Sequence, residues 1–237
     1  MVSVLLTRPL ARQAETAAKL EAMGHEVVAE PLLYLEDLDR PEPTGPFAAV
    51  LLTSAHAAAH AARAIPEANR KDCLILATGQ ATAKAARAAG FETVHHVSGD
   101  ATDLANAVNS ATYQIPLTLP LLWPRAETIA RDLADLIERQ IVSWVVYRMV
   151  AATAFSDSTW RRLVKGQIDA VLLTSPRIAQ TFATLFQQLP RATGVPSIFA
   201  MSDAIRDELP THLAQRTHVS MHPNEAALLT LLATDGG

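Results

Sequence analysis

The chain has one cysteine, Cys73, so no intrachain disulfide can form. It lies in the apolar run Cys73-Leu74-Ile75-Leu76 and reads as a small buried hydrophobe, not a nucleophile. No apolar run approaches the roughly 20 residues needed to span a bilayer. The first residues hold no basic segment followed by an apolar stretch and a cleavage site. Val4-Leu5-Leu6-Thr7 already reads as a strand there, so no leader is expected and the expected compartment is the cytoplasm. Positive charge is scarce: 20 Lys and Arg against 24 Asp and Glu give a net charge of −4. That balance argues against nucleic acid as a partner, but it does not exclude an acidic ligand, whose binding depends on the local field. Gly-x-Gly-x-x-Gly and a Walker lysine are both missing, so no dinucleotide or nucleoside triphosphate is expected. His56 and His60 stand four apart, a spacing that can bind zinc, but no Glu motif or third ligand accompanies them. A solvated helix face is the expected reading. His95 and His96 are adjacent on a strand and point to opposite sides. No metal and no cofactor are expected.

What the chain does have is apolar residues, 49% of the total against 19% charged, enough for a substantial core. These residues are organised by repetition. Val4-Leu5-Leu6-Thr7-Arg8-Pro9, Val50-Leu51-Leu52-Thr53-Ser54-Ala55 and Val171-Leu172-Leu173-Thr174-Ser175-Pro176 are nearly one string. An apolar run that stops at a polar residue predicts a buried parallel strand. Ser or Thr before the following helical pattern is a good N-cap, and Pro suits the first turn. The repeat continues. Helices at about 55–65 and 80–89 alternate with strands at 74–77 and 93–97, and a helix follows at 101–108. Helices at about 176–187 and 203–209 alternate with strands at 197–200 and 218–221, and a helix follows at 224–232. A shorter strand–helix–strand unit also occurs twice. One comprises 4–7, a helix over about 10–22, and 25–29. The other comprises 119–123, a helix over about 127–139, and 141–147.

Alternating strands and helices with short connections predict parallel sheets covered by helices. One long and one short unit make a doubly wound, flavodoxin-like domain. The expected fold is therefore α/β, with two such domains joined by a two-stranded β-ladder hinge. Residues 1–33 and 152–237 are expected to form one discontinuous domain and residues 38–146 the other. Residues 34–37 and 147–151 are the expected crossover strands, and Pro41-Glu42-Pro43-Thr44-Gly45-Pro46 reads as the loop into the middle domain.

The order of motifs resembles the uroporphyrinogen-III synthase family over essentially the whole chain. The residues that carry the resemblance are Thr7-Arg8-Pro9, Gly24, Val27-Val28 and Pro31, then Thr53-Ser54 and Gly79-Gln80-Ala81-Thr82. Arg125, Tyr147-Arg148, Thr174-Ser175 and His222-Pro223 through Leu228 follow. Two positions depart from the family pattern: Ser202-Asp203-Ala204-Ile205 brings an acid to a turn, and Arg125-Ala126-Glu127 lacks a glycine. The resemblance implies a cofactor-free lyase acting in porphyrin and heme biosynthesis. Its substrate would be hydroxymethylbilane, a linear tetrapyrrole with eight carboxylates, closed to uroporphyrinogen III with loss of water and inversion of the last ring. The open chain can also close without inversion, so the enzyme's task would be mainly orientation.

Strand ends followed by helix starts present backbone N–H groups suited to carboxylates. The candidate substrate-binding residues at such junctions are Thr7, Arg8, Thr53, Ser54, Gly79, Arg125, Thr174, Ser175 and Ser202, and the Gly-x-x-Thr turn of the resemblance adds Thr82. At any one of these junctions, capping alone also explains the Ser or Thr. Arg148 and Arg177 are weaker candidates, equally explained as surface charges. Tyr147 is the candidate catalytic acid for the departing hydroxyl, with a plain strand aromatic as the other reading. A monomer is expected, and the enzyme that makes hydroxymethylbilane is a candidate partner. The competing functional class is a non-catalytic two-domain module that binds small anions or tetrapyrroles.

Overall fold

The structure, a computed structural model, describes residues 1–110 and 112–235. The chain opens with β1 (Ser3–Leu6), α1 (Leu10–Ala22), β2 (Glu26–Ala29) and β3 (Leu33–Asp37). It continues through β4 (Ala49–Leu52), α2 (Ala57–Ala64), α3 (Glu67–Arg70), β5 (Ile75–Thr78), α4 (Gly79–Ala88), β6 (Val94–Val97) and α5 (Ala101–Asn109). Next come β7 (Leu121–Ala126), a 3-10 turn at Leu133–Asp135 and β8 (Ile141–Ala151). The remainder is α6 (Asp157–Val164), β9 (Ala170–Leu173), α7 (Pro176–Phe186), β10 (Ser197–Ala200), α8 (Asp203–Arg206), α9 (Thr211–Ala214), β11 (Thr217–Val219) and α10 (Glu225–Asp235).

Two compact units result. Unit 1 is Met1–Leu35 with Val150–Gly237, and unit 2 is Glu36–Met149. The sheets run β11-β10-β9-β1-β2 and β3-β8-β7-β4-β5-β6. Within each unit the central ladders are parallel, for example Leu5 beside Val28 and Val171, and Leu51 beside Leu76. The three near-identical strings are β1, β4 and β9, and every residue in these strands is buried. Continuous burial is what a parallel strand covered on both faces requires. Alternate side chains then serve alternate layers. Val50 and Leu52 pack with Ala57, Ala61, Ala83 and Ala86 on one face of the unit 2 sheet. Ala49 and Leu51 pack with Leu104, Val108, Trp123 and Leu133 on the other. In unit 1, Val4 and Leu6 pack with Leu20, Leu172, Phe199 and Leu228. Truncating one such leucine to alanine costs about 2–5 kcal/mol.

The two units share one spatial plan. Reading each sheet from the short piece, the order is the second and first strands of the short piece, then the first, second and third strands of the long one. This is β2-β1-β9-β10-β11 in unit 1 and β8-β7-β4-β5-β6 in unit 2. The chain begins with the short piece in unit 1 and with the long piece in unit 2. The crossing strands β3 and β8 are neighbours. Leu38 N–H donates to Val146 O at 2.8 Å, and Ala152 N–H donates to Leu32 O at 3.0 Å, so the pair runs antiparallel.

One expected element is missing. The helix over 127–139 does not form: that stretch is irregular apart from the 3-10 turn. Its apolar period is nevertheless used, with Leu133 and Ile137 buried and Ile129 and Leu136 packed beside them. Asp132 accepts a hydrogen bond from Ala134 N–H at 3.0 Å, a local bond that substitutes for the helical one. No helix among the described residues is long and apolar enough to cross a membrane.

Candidate functional site

In a doubly wound sheet, ligands bind outside the carboxyl ends of the strands. Unit 2 has a cleft of about 350 Å³ there. Thr53 follows β4, Thr78 ends β5, and Trp123 and Ala126 lie on β7. Asp100 and Ala101 open α5, Thr128 to Arg131 form the irregular stretch, and Tyr147 comes from β8. A larger cleft of about 450 Å³, lined by Val2, Gly166, Asp169, Val195 and Arg216, lies at the amino ends of the unit 1 strands. There the sheet presents the amino ends of its strands, and the topology gives no reason for a ligand.

Tyr147 is 8% exposed, and its ring meets His56 edge-on with centroids 4.8 Å apart. Thr53 accepts a long hydrogen bond from the Trp123 indole at 3.4 Å. Asp100 caps α5 through Thr102 N–H at 2.7 Å and shares a capping box with Asp103. The Thr102 bond, with help from the Arg131 charge, holds the Asp100 carboxyl below its ordinary range. The one acid in this cleft is therefore occupied by the helix start. Arg131 is the lining cation, and sequence reasoning missed it, because 127–139 reads as a helix face.

The other sequence candidates fall in several places. Ser54 accepts from His56 N–H at 3.3 Å. Gly79 has φ +73° at the start of α4, and an added Cβ would meet nothing within 4 Å, so its role is backbone conformation. Thr82 is buried on α4 and faces the core. Arg125 is turned back onto its own sheet: its guanidinium reaches Ser143 Oγ on β8 at 2.5 Å and Ala126 O at 2.8 Å, over the Trp123 ring. Arg148 pairs with Glu36 through two bonds of 2.9 and 3.2 Å, and this pair is half exposed and adds little stability.

In unit 1, Thr7 has no exposed surface, and its hydroxyl donates to Leu172 O at 2.5 Å, pinning β1 to β9. Arg8 is paired with Glu225 at 2.6 Å and bonded to Thr16 at 3.0 Å. The same carboxylate receives Lys19 at 2.7 Å and the Thr16 hydroxyl. Burial raises the Glu225 carboxyl, but the Lys19 and Thr16 hydrogen bonds and the Arg8 charge outweigh it, so it titrates below the usual range. Thr174 follows β9, Ser175 caps α7 through Ile178 N–H at 3.3 Å, and Pro176 takes the first turn. Ser202 stands at the N-cap of α8 without a side-chain cap bond. Arg177 lies in the first turn of α7. Thr53 and Tyr147 thus share one cleft, Arg8 and Arg125 are held by protein partners, and Thr7 and Thr82 are structural in their side chains.

His56 and His60 do acquire a third neighbour. Asp37, at the end of β3, accepts from both imidazoles. Its 19-residue separation from His56 hides it from any reading of local spacing.

No curated protein matches the sequence. Among solved structures, a uroporphyrinogen-III synthetase from Helicobacter pylori aligns over 99% of both chains with 14% identity and a TM-score of 0.60. A mutant uroporphyrinogen III synthase from the extremely thermophilic bacterium Thermus thermophilus aligns over 100% of both chains with 15% identity and a TM-score of 0.51. At these identities the likeness is one of fold. The family model for uroporphyrinogen-III synthase HemD matches residues 14–230. With nearly the full length matched by that model, over both doubly wound units, the chain belongs to the uroporphyrinogen-III synthase family.

Proposed function

We propose that the chain is a hydro-lyase that converts hydroxymethylbilane to uroporphyrinogen III. In this reaction the terminal C–O bond breaks and the hydroxyl leaves as water after taking a proton. The electrophilic azafulvene so formed is attacked by the last pyrrole at its substituted carbon, and rearrangement inverts that ring. The observation that carries the reading is the unit 2 cleft, which brings a buried phenol together with Thr53 and one arginine, Arg131. In this reading Arg131 and Thr53 hold an acidic arm, and Tyr147 is the proton donor for the departing hydroxyl. A cleft of about 350 Å³ takes one acidic pyrrole arm and leaves the rest of the tetrapyrrole to other strand ends. Thr7, Arg8, Thr174, Ser175 and Ser202 are the proposed unit 1 contacts, by backbone amide where the side chain is occupied. Arg8 would have to exchange Glu225 for a substrate carboxylate. A monomeric cytoplasmic enzyme that receives its substrate directly from the preceding enzyme completes the proposal. The test is product analysis. Hydroxymethylbilane is generated in situ with and without the protein, and type I and type III uroporphyrins are resolved by chromatography after oxidation. Predominant type III is expected, and type I alone in both arms would remove the reading.

A further inference from the structure

We propose that Asp37, His56 and His60, none of them assigned to ring closure, form a binding site for a divalent transition-metal ion of the zinc class. His56 stands at the N-cap of α2 and His60 one turn later, so both imidazoles project from one side of the helix. Their Nε2 atoms lie 2.6 and 2.8 Å from the same oxygen of Asp37, Oδ1. The three donor atoms all lie within 4.8 Å of one another. A tetrahedral site with bonds of about 2.0–2.1 Å separates its ligand atoms by roughly 3.4 Å, so Asp37 need withdraw by less than about an ångström. It is free to do so, because its side chain is 59% exposed while that of His60 is 3% exposed. The buried imidazole is the fixed ligand, and the exposed carboxylate leaves a path for the ion and for a water as fourth ligand. Trp144 stands edge-on to His60 at 6.2 Å and Tyr147 edge-on to His56 at 4.8 Å, which fixes both rings. Two nitrogens and a carboxylate oxygen suit zinc and its neighbours, not calcium or magnesium.

A hydrogen-bonded clamp without any ion is the competing account, and Arg63 separates the two. Its guanidinium donates to His60 Nδ1 at 2.8 Å, which leaves the ring proton on Nε2, facing Asp37. An ion on Nε2 displaces that proton to Nδ1, where it meets the Arg63 donor. Arg63 must then turn away, toward Glu42, already 3.5 Å from it. The native arginine therefore opposes the ion.

The experiment is a calorimetric titration of the full chain with Zn²⁺ after dialysis against chelator, with Co²⁺ as a second probe through its visible absorption. One ion per chain is expected. Asp37→Asn and His56→Ala should each weaken binding at least tenfold, and thermal unfolding of the parent should shift upward with Zn²⁺ concentration. Arg63→Ala should bind several-fold more tightly, whereas equal or weaker binding would overturn the assignment of Nε2 as the ligating atom. Failure of the parent to bind stoichiometrically overturns the site. Affinity that survives both Asp37→Asn and His56→Ala, or that is lost in Cys73→Ser, does so too. The partly exposed Asp37 and His56 carry the test even if variants of buried His60 do not fold. Type III product formation is scored separately, so failure of this site leaves the synthase reading intact.

Discussion

Tyr147 owes its candidacy to position: it is nearly buried, yet it lines the cleft at the carboxyl ends of the unit 2 strands. Tyr147→Phe keeps the ring and its edge contact with His56 while removing the donor. If the phenol protonates the departing hydroxyl, the rate of type III formation should fall by roughly 10²-fold or more with an unchanged melting temperature. A loss below about threefold would assign catalysis to the shape of the cleft. Glu225 offers a second test at this scale. Its carboxyl titrates below the ordinary range. The stability it contributes is therefore complete above the unfolded value of about 4.5, and it is lost as pH falls through the folded value. Glu225→Gln should melt lower than the parent at pH 7, and the gap should close on acidification below about pH 4. The same change releases Arg8, so if Arg8 grips a substrate carboxylate, KM should fall.

Among the elements, the start of α5 bears most directly on the cleft. Gly99 has φ +100°, and a Cβ there would sit 1.8 Å from Asp103 Oδ2, the atom that accepts from Asp100 N–H in the capping box. Gly99→Ala should cost about 1–3 kcal/mol, visible in chemical denaturation, and should raise KM because Asp100 and Ala101 line the cleft. Gly194→Ala, at ordinary φ and with nothing within 4 Å, should change neither. The strands were the legible part of the fold, since Val-Leu-Leu-Thr runs have no stable exposed alternative. The segment 127–139 was not. Its apolar spacing fits a helix, but the same residues reach the core from an irregular path held by Asp132, and periodicity alone does not tell these apart. Of the residues that line the cleft, Thr53 was legible because it follows a strand end, whereas Tyr147, inside β8, was picked out by its place on the crossing strand and by the family resemblance. Arg131 and Asp37 were hidden, one by the misread helix and one by distance along the chain. Side-chain partners such as Glu225 for Arg8 follow from packing that no local pattern records.

At the scale of the whole molecule, unit 1 is assembled from both ends of the chain and unit 2 from its middle. Contacts such as Ser3 N–H to Asp169 at 2.8 Å join residues 166 positions apart, and closing so long a loop slows folding more than it weakens the final state. A continuous unit 2 that folds first shortens that loop. Stopped-flow refolding is then expected to show Trp123 and Trp144, in unit 2, reaching their final fluorescence before Trp160, in unit 1, when each is followed in a variant that lacks the other two.

The bond from Ala152 N–H to Leu32 O lies wholly inside unit 1, and it makes unit 1 a host and unit 2 a guest. Leu35 is three residues beyond one partner of that bond and Val150 two residues before the other, so the severed ends of the host start side by side. Removing 36–149 and joining the ends through about two to four glycines should leave a sheet that runs second strand, first, third, fourth, fifth along an uninterrupted chain. A cooperative melt of that shortened chain would mark the junction as a socket, where the inserted half can be exchanged or redesigned without disturbing the sheet that carries it.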